Sequence, residues 1–429
     1  MRLLIHSVSS ILSCCIPLLI AVTVFSQAPS HCASVQDAAS RAKAIQRQLL
    51  QVRSEGWETT VPVAAKDTLT QLKDALSDVA DAVMACASPD VSAQQIQNRL
   101  EKLLDANQPG PPEHVITESD IAHMNDAIPG TYGYDLRAQV AGAPGGPALL
   151  TIDFSIGVVC GDDHLLLLYT QQNGAWKQII RWQAKPYDEV SGAFGDFFVS
   201  GILARNKDSE PRLIVAHGTP WCTSRHSAFN IDLLSPQSDA RTPLVLWHTK
   251  REYSRSDFYP RLKVFDSGFE LRVNNDCMSV AENCFEYRVI YRYKVDENGS
   301  VYRVNPIATN ARGFVEQWLS APWDEAAGFL VAGADQNLKH IHGRFNRADP
   351  HASEFIGHSL GPVRACKAPG DFQIQIDSRR ENTSPDKPDS PLPSYYFRVH
   401  EVKDGYRMVS VSTKPDPTCR GKNLMPAQQ

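Results

Sequence analysis

Signals for tight β-hairpins recur at regular intervals in the middle of the chain. Asn-Gly dipeptides occupy positions 173–174 and 298–299, and a longer turn-forming segment lies between them at 235–242. These dipeptides favour the positive φ angles that two-residue hairpin turns require. These three turns follow one another at intervals of about 60 residues, and strand-like segments precede each of them. Asp404-Gly405 predicts a further hairpin near the C-terminus. The spacing predicts a body built from repeated units of antiparallel strands.

Two of these segments show a strict period of two. Apolar side chains alternate with polar or small ones in residues 150–156, and with charged ones in most of residues 285–295. Such alternation is typical of antiparallel strands with one face in a core and one face in water. Units of four strands at this interval resemble propeller blades, and an ordinary β-sandwich is the alternative because no known blade motif repeats with them.

The segment before this body has the period of amphipathic helices. Apolar residues recur every three or four positions in stripes that begin near Val35, Leu69 and Ile96. Short connections between the stripes favour a small bundle with antiparallel neighbours. Residues 32–107 are therefore predicted to form a helical bundle, and the Pro- and Gly-containing residues 108–131 a linker.

The chain as a whole is predicted to be multidomain, with a small helical bundle followed by a mainly antiparallel β body. Residues 132–307 are assigned to the β-rich domain with blade-like repeats. Residues 308–429 combine short helical stripes with further strands and are predicted to form an α+β C-terminal domain.

The first 26 residues resemble a secretory signal peptide. They contain Arg2 and no acidic residue, then an apolar run from Ile11 to Phe25, and then small polar residues. The run is short for a transmembrane helix, although an uncleaved anchor is the alternative. Cleavage after residue 26 predicts a secreted or periplasmic protein with no transmembrane segment in the mature chain.

Removal of the signal peptide leaves eight of the ten cysteines. An even number in an exported chain indicates a disulfide framework. The sequence contains no C-x-x-C pair of the kind that zinc sites use. The candidate disulfide residues are Cys32, Cys86, Cys160, Cys222, Cys277, Cys284, Cys366 and Cys419.

The predicted topology suggests partners for the first four of these cysteines. Antiparallel helices bring the start of the first helix beside the end of the second, which pairs Cys32 with Cys86. Closing this loop would remove about 4 kcal/mol of unfolded-state entropy in the chain-entropy model. Cys160 and Cys222 occupy matching places in neighbouring repeats and are predicted to pair.

Weaker arguments pair the remaining four. Cys277 and Cys284 are close enough in sequence to close their own loop. Cys366 is then left for Cys419 by elimination.

Histidines concentrate in one C-terminal segment, and His340 and His342 are its candidate metal ligands. On a strand, the H-x-H spacing would place both rings on one face, and imidazoles suit zinc. His351 and His358 follow within 19 residues of His340. A solvated surface is the favoured alternative, because no known metalloprotease spacing occurs.

Residues 357–361 match the G-x-S-x-G pattern of a nucleophile elbow. Asp371 or Asp377 and then His400 follow Ser359 in the chain order of an α/β-hydrolase triad. Neither the strand before this elbow nor the helix after it is evident in the sequence. A solvent-exposed loop is therefore the favoured interpretation of this segment.

Residues 161–164 and 296–299 resemble fragments of calcium loops. Neither has the full set of oxygen ligands at the proper spacing, so both are interpreted as turns.

Composition excludes one class of function and leaves two. A formal net charge of −5 without a basic stripe argues against nucleic-acid binding. The favoured function is an exported, disulfide-stabilised binding or scaffolding protein that contacts an unknown protein or envelope component, with no cofactor indicated. The alternative is an extracytoplasmic hydrolase that depends on a metal at His340 and His342 or on Ser359.

The disulfide framework is open to a direct test. Peptide mapping of the exported chain under non-reducing conditions should find four linked pairs and no free thiol, because all eight mature cysteines have an assigned partner. Mass spectrometry of the linked peptides identifies the pairs. A peptide that joins Cys160 to Cys277 would contradict the pairing inferred from the repeats.

Overall fold

A computed structural model of the chain shows a helical N-terminal part followed by four antiparallel sheets. It describes residues 32, 34–54, 61–107, 128–129, 132–143, 148–158, 161–184, 197–203, 210–219, 226–254, 260–275, 287–304, 307–308, 310–334, 337–346, 356–380 and 390–424. The predicted signal peptide and most of the predicted linker lie outside these residues, and the domain boundaries stay predictions.

Three helices occupy the described part of the first 107 residues, at the positions that the apolar stripes predict. They are α1 (Val35–Leu49), α2 (Val63–Ala85) and α3 (Ala93–Leu104). Helix α3 begins with a capping box, in which the side chains of Ser92 and Gln95 each bond the backbone N–H of the other. Within the described residues, no helix of the chain has both the length and the apolar character needed to cross a bilayer.

The β body consists of four antiparallel sheets, and in each of them four strands pair in chain order. Before it, a small separate sheet pairs β1 (Arg53–Ser54) with β2 (Ile128–Pro129). The first large sheet contains β3 (Tyr134–Gly142), β4 (Leu149–Val158), β5 (Gly161–Gln172) and β6 (Ala175–Gln183). The second contains β7 (Phe198–Leu203), β8 (Arg212–Thr219), β9 (His226–Ser235) and β10 (Leu244–Ser254).

The third and fourth sheets repeat this order. The third contains β11 (Arg261–Phe265), β12 (Gly268–Asn275), β13 (Tyr287–Val295) and β14 (Val301–Arg303). The fourth contains β15 (Ile356–Ala365), β16 (Asp371–Arg380), β18 (Tyr395–Val402) and β19 (Gly405–Ser412), and the short β17 (Ser390–Pro391) pairs with β16.

The predicted hairpin turns are confirmed. Asn173 and Gly174 have φ angles of 53° and 78° and connect β5 to β6. Gly299 and Gly405, which also have positive φ, lie at the β13–β14 and β18–β19 connections. In each of the first three sheets, the chain between the second and third strands contains the cysteines of that repeat.

The first three sheets stack face to face, so the prediction of one solvated face is wrong for β4 in the first sheet. In β13 of the third sheet the alternation is as predicted, since Tyr291 and Tyr293 are buried and Lys294 is exposed. In the first sheet, Leu167 packs on the helices whereas Leu166 packs on the second sheet. The other face of the second sheet packs on the third. Nine of the ten residues of β4 are buried, including the polar Thr151 and Ser155. Thr151 and Ser155 therefore do not face water.

The fourth sheet packs on a group of C-terminal helices. These are α4 (Ala311–Ser320), α5 (Trp323–Ala326), a 3₁₀ turn at Ala327–Phe329 and α6 (Asn337–Phe345). Trp318 of α4 is fully buried among them. The described C-terminal part thus combines helices and strands, as the sequence predicts.

Two disulfides lie within the described residues. One joins Cys32, before α1, to Cys86 at the end of α2, and the other joins Cys366, after β15, to Cys419. Both are pairs that the sequence led us to expect. The other four cysteines lie outside the described residues, so their pairing stays a prediction: Cys160, Cys222, Cys277 and Cys284.

A buried ion pair joins the helices to the first sheet. Lys73 Nζ of α2 lies 2.5 Å from Asp163 Oδ2 of β5, and neither side chain is more than 1% exposed. The interpretation of residues 161–164 as a turn is therefore wrong, because they form the start of β5 and are mostly buried. Asp163 is two residues from Leu165, so both point toward the helices.

This pair yields a stability prediction. Lys73→Met should lower the free energy of unfolding by about 3–5 kcal/mol, because it leaves a carboxylate buried without its partner. The double variant Lys73→Met/Asp163→Leu should recover part of this loss. Guanidinium unfolding followed by circular dichroism measures the changes.

The matched control is Arg41→Met. Arg41 forms an exposed pair with Asp78, and its loss should cost less than about 1 kcal/mol. Equal effects of Lys73→Met and Arg41→Met would contradict the assigned role of the buried pair.

Candidate functional site

The structure does not bring the serine candidates together. Ser359 lies within strand β15 and pairs with Asp377, so both the elbow and the loop interpretation of this segment are wrong. His400 pairs with Asp371 at the other end of β16 and bonds it, with Nδ1 2.6 Å from Oδ1. The six residues from Asp371 to Asp377 span about 20 Å of strand, which places Ser359 far beyond hydrogen-bond reach of His400.

The histidine candidates are also separated. His340 and His342 lie in helix α6, so the expected H-x-H strand is wrong. On a helix, positions i and i+2 lie on different sides. His340 is exposed, whereas His342 is buried with Nε2 3.1 Å from the carbonyl of Trp318.

Other members of this histidine group do not complete a metal site in the described chain. His358 is buried and packs edge-on against Phe345, whereas His351 lies outside the described residues. Throughout the residues that the structure describes, no group of three or more His, Cys, Asp or Glu side chains could hold a metal ion.

A cleft of about 1300 Å³ is the first candidate site that the structure shows. It lies between strand β10, the third sheet, helix α5 and the β18–β19 hairpin. Aromatic side chains from five elements line it: Trp247, Tyr293, Tyr302, Phe329 and Tyr406. Tyr302 is 52% exposed, so an aromatic ring is available to solvent on the β14 side of the cleft.

Two buried arginines and one carboxylate meet in the lining of this cleft. Glu325 of α5 bonds Arg251 of β10 through Oε2 and Arg303 of β14 through Oε1, the latter at 2.5 Å. The side chains of Arg251 and Arg303 are 7% and 1% exposed. Both guanidinium groups contact the ring of Tyr291 in cation–π geometry. The cluster thus connects the second sheet, the third sheet and the C-terminal helices.

The charges of this cluster determine its protonation. Burial opposes ionisation of Glu325, but the charges of Arg303 and Arg251 outweigh it and lower the pKa of the carboxyl. Burial raises the pKa of Tyr291 and Tyr293, so both phenols stay neutral. Two cations therefore share one anion.

Further cations surround this cluster. Lys294 and Lys403 are exposed in the cleft lining, and the guanidinium of Arg407 lies 5.5 Å from the centre of the Phe329 ring. In all, six Arg and Lys side chains and four carboxylates line the cleft. This surplus of cations contrasts with the net charge of −5 of the whole chain.

A second cavity, of about 670 Å³, lies between the first and second sheets. In it Asp232 of β9 lies between two imidazoles, with Oδ1 2.7 Å from His248 Nδ1 and Oδ2 3.5 Å from His217 Nε2. His217 is buried and packs edge-on against Trp182 of β6. His248 is half-exposed and lines both the cavity and the cleft.

Asp232 and His248 shift each other's pKa. Burial raises the pKa of Asp232, but hydrogen bonds from His217 and His248 outweigh it and lower the pKa to about 2. The hydrogen bond to Asp232 raises the pKa of His248 above its ordinary value of 6.5, with burial opposing it. The contribution of His248 to stability is therefore present below pH 6.5 and is lost as pH rises through its folded pKa.

Neither site could be found by motif. Arg251, Arg303 and Glu325 are separated by up to 74 residues and come from three elements. The alternation in residues 285–295 gives no information on Arg303, which lies in the next strand and is buried in the cluster. The aspartate and histidines of the second cavity are likewise spread over three strands. The sequence feature that could have pointed to these sites is the number of charged residues within strand-like segments.

Comparison with known proteins assigns no family to the chain. A scan against protein-family models finds no matching family, and a search of curated proteins finds no significant match. Function is therefore inferred from geometry.

The histidine–aspartate contact makes a titration prediction. Asp232→Asn should lower the pKa of His248 toward 6.5, because the ring loses its carboxylate acceptor. NMR of the imidazole protons as a function of pH measures the shift. Asp239→Asn is the control, because Asp239 bonds Thr242 in the turn before β10. Identical His248 titration curves in the wild type and Asp232→Asn would contradict the assigned contact.

Proposed function

We propose that the chain is an exported binding protein whose ligand occupies the cleft at the third and fourth sheets. The observation that carries this proposal is the cleft itself, which combines an open volume of about 1300 Å³ with aromatic walls and a buried, polar cluster. Ligand sites commonly combine apolar or aromatic walls with a few convergent polar groups. The disulfides and the signal-like N-terminus support export.

The β body that holds the cleft is proposed to be a propeller-like array. Four-stranded antiparallel sheets, stacking of the first three, and cysteines in matching connections support this arrangement over an ordinary sandwich. The helical part covers the first sheet, and we propose that its outer surface serves as a docking element for an envelope component.

A hydrolase is the alternative function, but the residues first considered for it do not support it. Ser359 and His400 are too far apart, and His340 and His342 are on different sides of a helix. Binding is therefore the function that the geometry supports best.

Blocking the cleft tests this proposal. Gly328 lines the cleft, and a Cβ atom added there would meet no atom within 4 Å. Gly328→Trp should therefore place an indole in the cleft without disturbing the backbone, and it should abolish retention of the ligand. The experiment captures material from the native envelope and secretome on each purified variant and identifies it by mass spectrometry.

The control is Leu424→Trp, which adds an indole at an exposed position outside the cleft lining. We expect the wild type and Leu424→Trp to retain the same compound, and Gly328→Trp to lose it. Equal retention by all three proteins, or none by the wild type, would contradict the proposed function.

A further inference from the structure

The chemistry of the cleft indicates the class of its ligand. We propose that the ligand carries an oxyanion, such as a carboxylate, sulfate or phosphate group, and that this group binds beside Arg251 and Arg303. The inference rests on the proposed binding function and specifies the ligand.

An imbalance of buried charge is the first observation. Two guanidinium groups lie at the cleft, and Glu325 is the carboxylate that pairs with both in the described residues. Tyr291 and Tyr293 do not supply a second negative charge, because burial raises their pKa values. A buried charge without a counter-ion is costly, and an anion bound in the cleft would neutralise it.

The hydrogen bonds of the two arginines are the second observation. A guanidinium has five N–H donors. Arg251 donates to Glu325, to the Lys250 carbonyl at 3.1 Å and to the Tyr293 hydroxyl at 3.5 Å. Its Nε is buried and has no partner in the described chain. Donors therefore remain for an acceptor that the described residues do not provide.

Arg303 shows the same deficit. It donates to Glu325, to the Ile290 carbonyl at 3.3 Å and to the Gln317 side chain at 3.4 Å. Its Nε is also buried without a partner among the described residues. Oxyanions suit such a pair, because planar guanidinium groups bind carboxylates, sulfates and phosphates through parallel hydrogen bonds.

The exposed cations of the lining are the third observation. Lys294 on β13 and Lys403 on the β18–β19 hairpin lie on different sides of the cleft and are exposed. A cleft lined with a surplus of one charge concentrates ligands of the opposite charge. Because the whole chain has a net charge of −5, the cationic lining differs from the overall charge, and an anion would be attracted to this cleft.

Isothermal titration calorimetry with three probes tests the proposal. Sulfate, inorganic phosphate and glucuronate, titrated at constant ionic strength, distinguish the three oxyanion classes. We expect at least one to bind the wild type in a one-to-one ratio. Arg251→Gln should weaken this binding at least tenfold, because the remaining arginine and Glu325 then balance in charge.

Two further variants keep the test decisive. Arg272→Gln is the matched control, since Arg272 pairs with Glu270 and lies outside the cleft lining; its affinity should equal that of the wild type. If Arg251→Gln does not fold, the exposed pair Lys294→Gln/Lys403→Gln replaces it and should weaken binding severalfold, most strongly at low salt.

The outcomes separate this inference from the proposed function. Absence of binding by all three probes, or equal affinity in Arg251→Gln and Arg272→Gln, would overturn the oxyanion proposal. A neutral or cationic compound retained by the wild type and lost in Gly328→Trp would overturn it as well, while supporting the cleft as a binding site. No retained compound of any kind would contradict the binding function itself.

Discussion

Burial of the sheets on both faces is the constraint on which the rest of the structure depends. The first sheet contacts helices on one side and the second sheet on the other, and the second sheet is covered in turn by the third. A layer of this kind cannot complete its core until both neighbours are in place. Stability of the body is therefore shared between layers, as in other repeat architectures in which units contact their neighbours.

Charged groups inside such a stack must have partners. The strands carry polar side chains at alternate positions, and stacking removes the water that would otherwise solvate them. Lys73 on a helix and Asp163 on a sheet neutralise each other as an ion pair. Asp232 has the imidazoles of His217 and His248 as its partners. At the cleft the balance is incomplete, since Arg251 and Arg303 share the single carboxylate of Glu325. This difference is one reason why we propose the cleft as the binding site.

Local features were predictable from the sequence, and contacts between layers were not. The helices follow from apolar stripes, and the hairpin at Asn173 and Gly174 follows from their preference for positive φ. The alternation in β4 correctly predicts a strand, but it does not reveal that the polar Thr151 is buried. The H-x-H spacing at His340 says nothing about whether its segment is a strand or a helix, because short segments owe their conformation to packing.

The candidate sites were beyond sequence reasoning for a related reason. Glu325 joins Arg251 across 74 residues, and only the packing of α5 against β10 and β14 creates that contact. The disulfide pairs were easier to predict, because each cysteine has only a few possible cysteine partners. Cys32 and Cys86 could be matched once antiparallel helices were assumed.

Strand β10 separates two polar chambers. Its alternate side chains point to opposite sides, so His248 contacts Asp232 in one chamber while Arg251 contacts Glu325 in the other. His248 also lines the cleft, so a compound bound beside Arg251 would change the surroundings of its ring. The imidazole would then report occupancy of the cleft in an NMR spectrum without any attached label.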